Sequence, residues 1–199
     1  MLPAETVQSS LLGAWRMMMG KADGIRLLDL TADGFWNSFY AILLAMPALA
    51  VNWVPVANDT LGPDVSIGVK LGYVFRLAIV DIGAWILPLV VLALISGLAG
   101  IRDRFVHYVV ATNWATVPIV WIMLPPSLLA LFVPEAGDAV TALALVLFLV
   151  TMVLTWRVTN AALGKGAAIA TGVFVGMFVG SILIMLLLQS LVGIEVPIG

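Results

Sequence analysis

Five stretches of nearly uninterrupted apolar residues succeed one another along this chain, at about 35–54, 73–98, 105–124, 139–158 and 167–194. An α-helix rises about 1.5 Å per residue, so about 20 residues cross the roughly 30 Å of hydrocarbon in a bilayer. No water reaches a backbone N–H or C=O there, which leaves helices and closed barrels as the structures able to span. Runs of this length fit the helix. A soluble fold fails on composition: of 199 residues 63% are hydrophobic and 10% charged, against about 25% charged in ordinary soluble domains. Mean hydropathy is +1.16. The sequence therefore predicts an all-α, polytopic transmembrane helix bundle of five spans. Residues 35–199 form one membrane domain whose solvent is the lipid bilayer.

Residues 1–34 are different. Val7, Leu11, Trp15 and Met18 recur at helical spacing, while Gln8, Ser9 and Arg16 fall elsewhere. This pattern predicts an amphipathic helix, too polar to span, at the membrane interface. Trp15 and Met17 to Met19 would face lipid or the bundle; the alternative is a helix packed only against its own protein. The segment lacks the basic and apolar regions of a cleavable secretory signal, so it is expected to stay in the mature protein. Trp36, Tyr40 and Trp53 lie near the ends of the first run, as interfacial aromatics do. A loop rich in Pro, Gly and Asp is expected to reach about Gly72. Pro125 and Pro126 are expected to stop the third span. Residues 127–133 are apolar but too short to cross, and read as a dipped or interfacial segment.

Charge sets an orientation. Short cytoplasmic loops retain Lys and Arg. With the N-terminus inside, the cytoplasmic side holds Arg16, Lys21, Arg26, Arg102, Arg104, Arg157 and Lys165, and the other side only Lys70 and Arg76. Glu135, Asp138 and Glu195 then fall outside without a cation. The expected location is the inner (plasma) membrane of a bacterium, N-terminus cytoplasmic and C-terminus extracytoplasmic. The formal net charge of −2 offers no basic field for nucleic acid. With no cysteine and a single histidine, His107, no metal site or cofactor is expected. No H-E-x-x-H, G-x-S-x-G, P-loop or dinucleotide-binding glycine pattern occurs, and the chain does not read as an enzyme.

Three features stand out against the apolar background. Asp81 lies within the second run, where a carboxylate costs about 2.5–3.5 kcal/mol on insertion scales and so faces protein or water. Arg76 is its nearest cation in sequence, but five residues turn about 140° around a helix, so the two do not stack. Asp81 is either a cation or proton site or a structural hydrogen-bonding group. Asn113, near the middle of the third run, needs a partner on a neighbouring helix. Asp81 is a candidate, because a short turn joins the second and third spans. Ala168, Gly172, Gly176 and Gly180 recur every four residues on the fifth span, a strip that invites close approach of another helix, from this chain or a second copy. Pro47, Pro88 and Pro118 are expected to kink the first three spans.

The stretch Asp29-Leu30-Thr31-Ala32-Asp33-Gly34-Phe35-Trp36, followed by five spans, resembles the Yip1-like family of membrane proteins and their D-L-Y-G-P-x-W motif; Tyr, Gly and Pro of that motif are not in place here. The resemblance covers roughly residues 25–199. It implies a non-enzymatic, membrane-organising, scaffold or accessory role, with another membrane protein or a second copy as partner. The alternative expectation is a small transporter or channel-like protein using Asp81 and Asn113.

Overall fold

The computed structural model describes residues 2–62 and 64–194; Glu195, which entered the orientation argument, lies outside the described residues. The chain forms α1 (Ala4–Met18), α2 (Ala32–Asn37), α3 (Tyr40–Leu61), α4 (Ile67–Ile95), α5 (Phe105–Ile122), α6 (Leu124–Phe132), α7 (Gly137–Leu163) and α8 (Ala167–Leu191), with no strand among the described residues. Five helical stretches are long and apolar enough to cross a membrane, the first being α2 with α3 and the third α5 with α6. The apolar side chains left at the surface, such as Leu43, Phe75, Leu94, Leu145 and Leu187, are what a lipid-facing bundle requires.

The spans close into a ring. α3 packs on α4, α4 on α8, α8 on α7, α7 on α5, and α5 back on α3. Although a short turn joins α4 to α5, their extended contacts are with other helices, and they meet through long side chains such as Trp85. α5 is the most enclosed helix, burying Tyr108 to Ala111, Asn113 to Ala115 and Val117, whereas α8 buries only Ala170 and Val173.

Several sequence expectations are corrected. The loop to Gly72 is much shorter, because α3 continues through Asn58, Asp59 and Thr60, and α4 begins at Ile67. Both helices outlast their apolar runs because polar side chains support the extension: Lys70 Nζ donates to Asn58 Oδ1 at 3.0 Å. Gly62, with φ of +79°, ends α3. Pro125 and Pro126 do not end helical structure. They sit in the first turn of α6, where missing N–H groups cost nothing, and α6 packs on α3 and α7.

The amphipathic helix is present, but its buried face is Ser10, Gly13, Ala14, Met17 and Met18, pressed on α5 and α7; Trp15 is exposed. Small residues choose that face because the backbones come close there. The chain then turns into α2 through a local hydrogen-bond network. Thr31 Oγ1 accepts from the Gly34 N–H at 3.1 Å, an N-cap, and donates to Asp29 Oδ1 at 2.7 Å. These bonds hold the Asp29 carboxyl below its usual range. A side chain at position 34 would collide with the Asp29 carbonyl, so glycine is needed there.

Candidate functional site

Inside the ring is a cavity of about 440 Å³ to which every span contributes: Leu49 from α3, Asp81 and Trp85 from α4, Tyr108, Thr112 and Thr116 from α5, Thr155 from α7, and Ser181 from α8. Asp81 is its only ionisable carboxylate. Trp53 on α3 donates its indole N–H to Asp81 Oδ2 at 2.6 Å. Trp53 was expected at the interface; it is 7% exposed, because α3 runs two further turns and carries position 53 away from the helix end.

The threonine hydroxyls give the cavity a chemical sign. Thr112 donates to the carbonyl of Tyr108 at 2.8 Å, Thr116 to that of Thr112 at 2.9 Å, and Thr155 to that of Thr151 at 2.7 Å. A hydroxyl has one proton to give, and here the helix backbone takes it. What remains at these three positions is oxygen lone pairs, while the Tyr108 and Ser181 hydroxyls also line the cavity. Asp81 adds a further oxygen acceptor, occupied at Oδ2 by the Trp53 N–H.

Asn113 is fully buried and satisfied from two sides. Its Oδ1 accepts from Trp85 Nε1 at 3.0 Å, and its Nδ2 donates to Ser38 Oγ at 2.9 Å. The expected pairing with Asp81 is not made: each polar group has its own tryptophan, Trp53 for Asp81 and Trp85 for Asn113. Asn113 is not among the residues lining the cavity; it ties α4, α5 and the start of α3 together. Arg76 is exposed and forms no ion pair among the described residues; its guanidinium lies near Gly193.

Within its own chain the small-residue strip is not the close-packing face that one of its two expected uses required; the other, association with a second copy, is not addressed by these contacts. Gly172, Gly176 and Gly180 line a separate apolar cleft of about 330 Å³, facing Pro88, Val91, Leu92 and Ile95 of α4 across a gap. A Cβ at any of the three would meet nothing within 4 Å, and Ala168 is exposed. The close approach of α4 and α8 occurs at Gly83, where a Cβ would come within 2.5 Å of Leu188 Cδ1.

The residues that sequence reasoning missed are the hydroxyl set and the two tryptophans. Their signal was present as Thr112, Thr116 and Tyr108 at four-residue steps on one face of α5. No three His, Cys, Asp or Glu residues come together among the described residues. Compared with protein-family models, with curated proteins and with solved structures, the chain finds no match.

Proposed function

We propose that this membrane protein binds a small solute carrying positive charge or hydrogen-bond donors in the cavity of its helix ring and serves its passage across the bilayer. Asp81 is the charged anchor and Thr112, Thr116 and Thr155 are neutral acceptors. The observation that carries this reading is the position of Asp81. A carboxylate kept at membrane depth, in a cavity lined from all five spans, has a use that a purely structural group buried between two helices lacks. Asn113 supports the frame and does not touch the solute.

The test is uptake of labelled sodium and methylammonium into liposomes carrying the purified protein. Asp81→Asn retains an oxygen for the Trp53 N–H and should fold, but should lower uptake of at least one probe tenfold or more, since hydrogen bonds to charged groups contribute about 1.5–3 kcal/mol. Uptake no greater than in empty liposomes, or equal in both variants, rejects the proposal.

A second reading has its own support. The glycine strip of α8 leaves a cleft open beside α4, as a surface for another membrane helix would. That favours a membrane-organising protein of the Yip1-like kind. Under this reading Asp81→Asn leaves function intact, while bulky side chains at Gly172 or Gly176 abolish capture of a membrane partner by cross-linking.

A further inference from the structure

At one end of the bundle the C-terminus of α1 and the turn between α7 and α8 enclose a groove of about 560 Å³, lined by Met19, Gly20, Trp156, Arg157, Asn160 and Gly164 among others. Its cation is Arg157. One guanidinium nitrogen, Nη1, donates to the Met18 carbonyl at 3.3 Å, which holds the side chain across the gap between α7 and α1. Two neighbouring cations are already engaged, Arg16 with Asp23 and Lys165 with Asp103 at 2.6 Å. No carboxylate pairs with Arg157 among the described residues, so most of its donors remain available. The rim carries little bulk. Gly20, Gly164 and Gly166 have φ of +80°, +60° and +90°, conformations that favour glycine, and they leave the backbone bare around the guanidinium.

What leads to this groove identifies its occupant. Leu145, Leu149 and Val153 precede Arg157 on α7 at steps of four, each about 40° further around the helix than the last, so they form a slowly winding stripe that leads to the cation. The three apolar residues are 58%, 56% and 52% exposed, and Arg157 is exposed too. A lipid-facing apolar stripe therefore ends at a cation beside Trp156, whose indole N–H bonds Thr171 Oγ1 at 3.0 Å and which lies near a span end, where aromatic side chains meet headgroups.

We infer that this groove binds an anionic phospholipid, its phosphate on Arg157 and Asn160 and an acyl chain along Val153, Leu149 and Leu145. A free phosphate would engage the arginine alone, whereas a phospholipid also meets the apolar stripe that leads to it.

The experiment uses the full chain in a neutral detergent, with binding read by native mass spectrometry. The probes are dihexanoyl phosphatidylglycerol, dihexanoyl phosphatidylcholine and inorganic phosphate. Phosphatidylglycerol should bind tightest, and Arg157→Gln should weaken it about fivefold, as loss of one basic contact at an anionic surface implies. Arg26→Gln, at the same end but outside the groove, should leave it unchanged. If Arg157→Gln does not fold, Asn160→Ala and Arg157→Lys replace it, both weakening phosphatidylglycerol while Arg26→Gln does not. Equal affinity for the two lipids, or equal losses in the groove and Arg26 variants, overturns the site. Inorganic phosphate displacing phosphatidylglycerol at matched concentration overturns the lipid as its occupant.

Discussion

An indole N–H can only donate, and among the described residues four tryptophans of the spans, Trp53, Trp85, Trp121 and Trp156, use it to bond a neighbouring helix. Trp53 meets Asp81, and one turn further along α4 Trp85 meets Asn113. Because Trp85 has no acceptor to offer, it fixes which way the Asn113 amide points, and Ser38 is then met by the NH₂ group. Removing the amide leaves the half-buried Trp85 N–H without its acceptor and takes away the donor to Ser38 Oγ, which keeps its own bond to the Phe35 carbonyl at 2.7 Å. Asn113→Ala should therefore lower stability by about 1–2 kcal/mol, measured as the midpoint of unfolding by sodium dodecyl sulfate; Ser38→Ala, which removes the acceptor of Asn113 Nδ2 and the bond to the Phe35 carbonyl, should lower it too. An unchanged midpoint for Asn113→Ala would remove the amide from the account of what holds α4 to α5. Asp81 and Asn113 were legible in the sequence because polar groups stand out in apolar runs. Their partners were not. A tryptophan reads as generic apolar bulk, and helical period says which side of a helix a residue occupies without saying which neighbour lies there.

At the scale of the element, the spans themselves were readable, since length and apolarity suffice, but the packing faces were not. Four small residues in register on α8 promised close contact, yet what decides contact is the surface opposite. Pro88, Val91 and Ile95 stand off from the strip, while the single Gly83 on α4 receives Leu188. A bulky residue at Gly83 must displace Leu188, and overpacking of this kind costs about 1–3 kcal/mol. Gly83→Leu should lower the detergent melting temperature, whereas Gly176→Leu should leave it nearly unchanged. The matched control on α8 is Val175→Leu. Val173 is unsuitable because it is 8% exposed and belongs to the core with Leu163 and Ala170. A larger loss from Gly176→Leu than from Gly83→Leu would mean the strip is packed after all. On α1 the expected Val7, Leu11, Met17 and Met18 do pack on the core, but Gly13 joins that face because it lies against the carbonyl of Gly24 and the side chains of Leu27 and Leu28.

For the whole molecule, the cations sort by end. Lys165 reaches Asp103, and Arg157 reaches the end of α1, so the α1 terminus, the α4–α5 turn and the α7–α8 turn gather together; Lys70 and Arg76 lie toward the other ends of the same helices. If that basic end is cytoplasmic, as the excess of Lys and Arg expects, a reporter fused after Gly100 or Gly164 should be cytoplasmic and one after Gly137 extracytoplasmic. The same location for all three would refute the orientation.

The ring order also bears on how the protein is made. Its neighbours run α3, α4, α8, α7, α5, so the gap between α4 and α7 is filled by the fifth span, which is made after the other four. Until then four helices form an open crescent, and the wall carrying Asp81 faces lipid or the insertion machinery. The ring therefore cannot close before α8 is in place, and a chain truncated ahead of α8 would lack the helix that contributes Ser181 to the wall opposite Asp81.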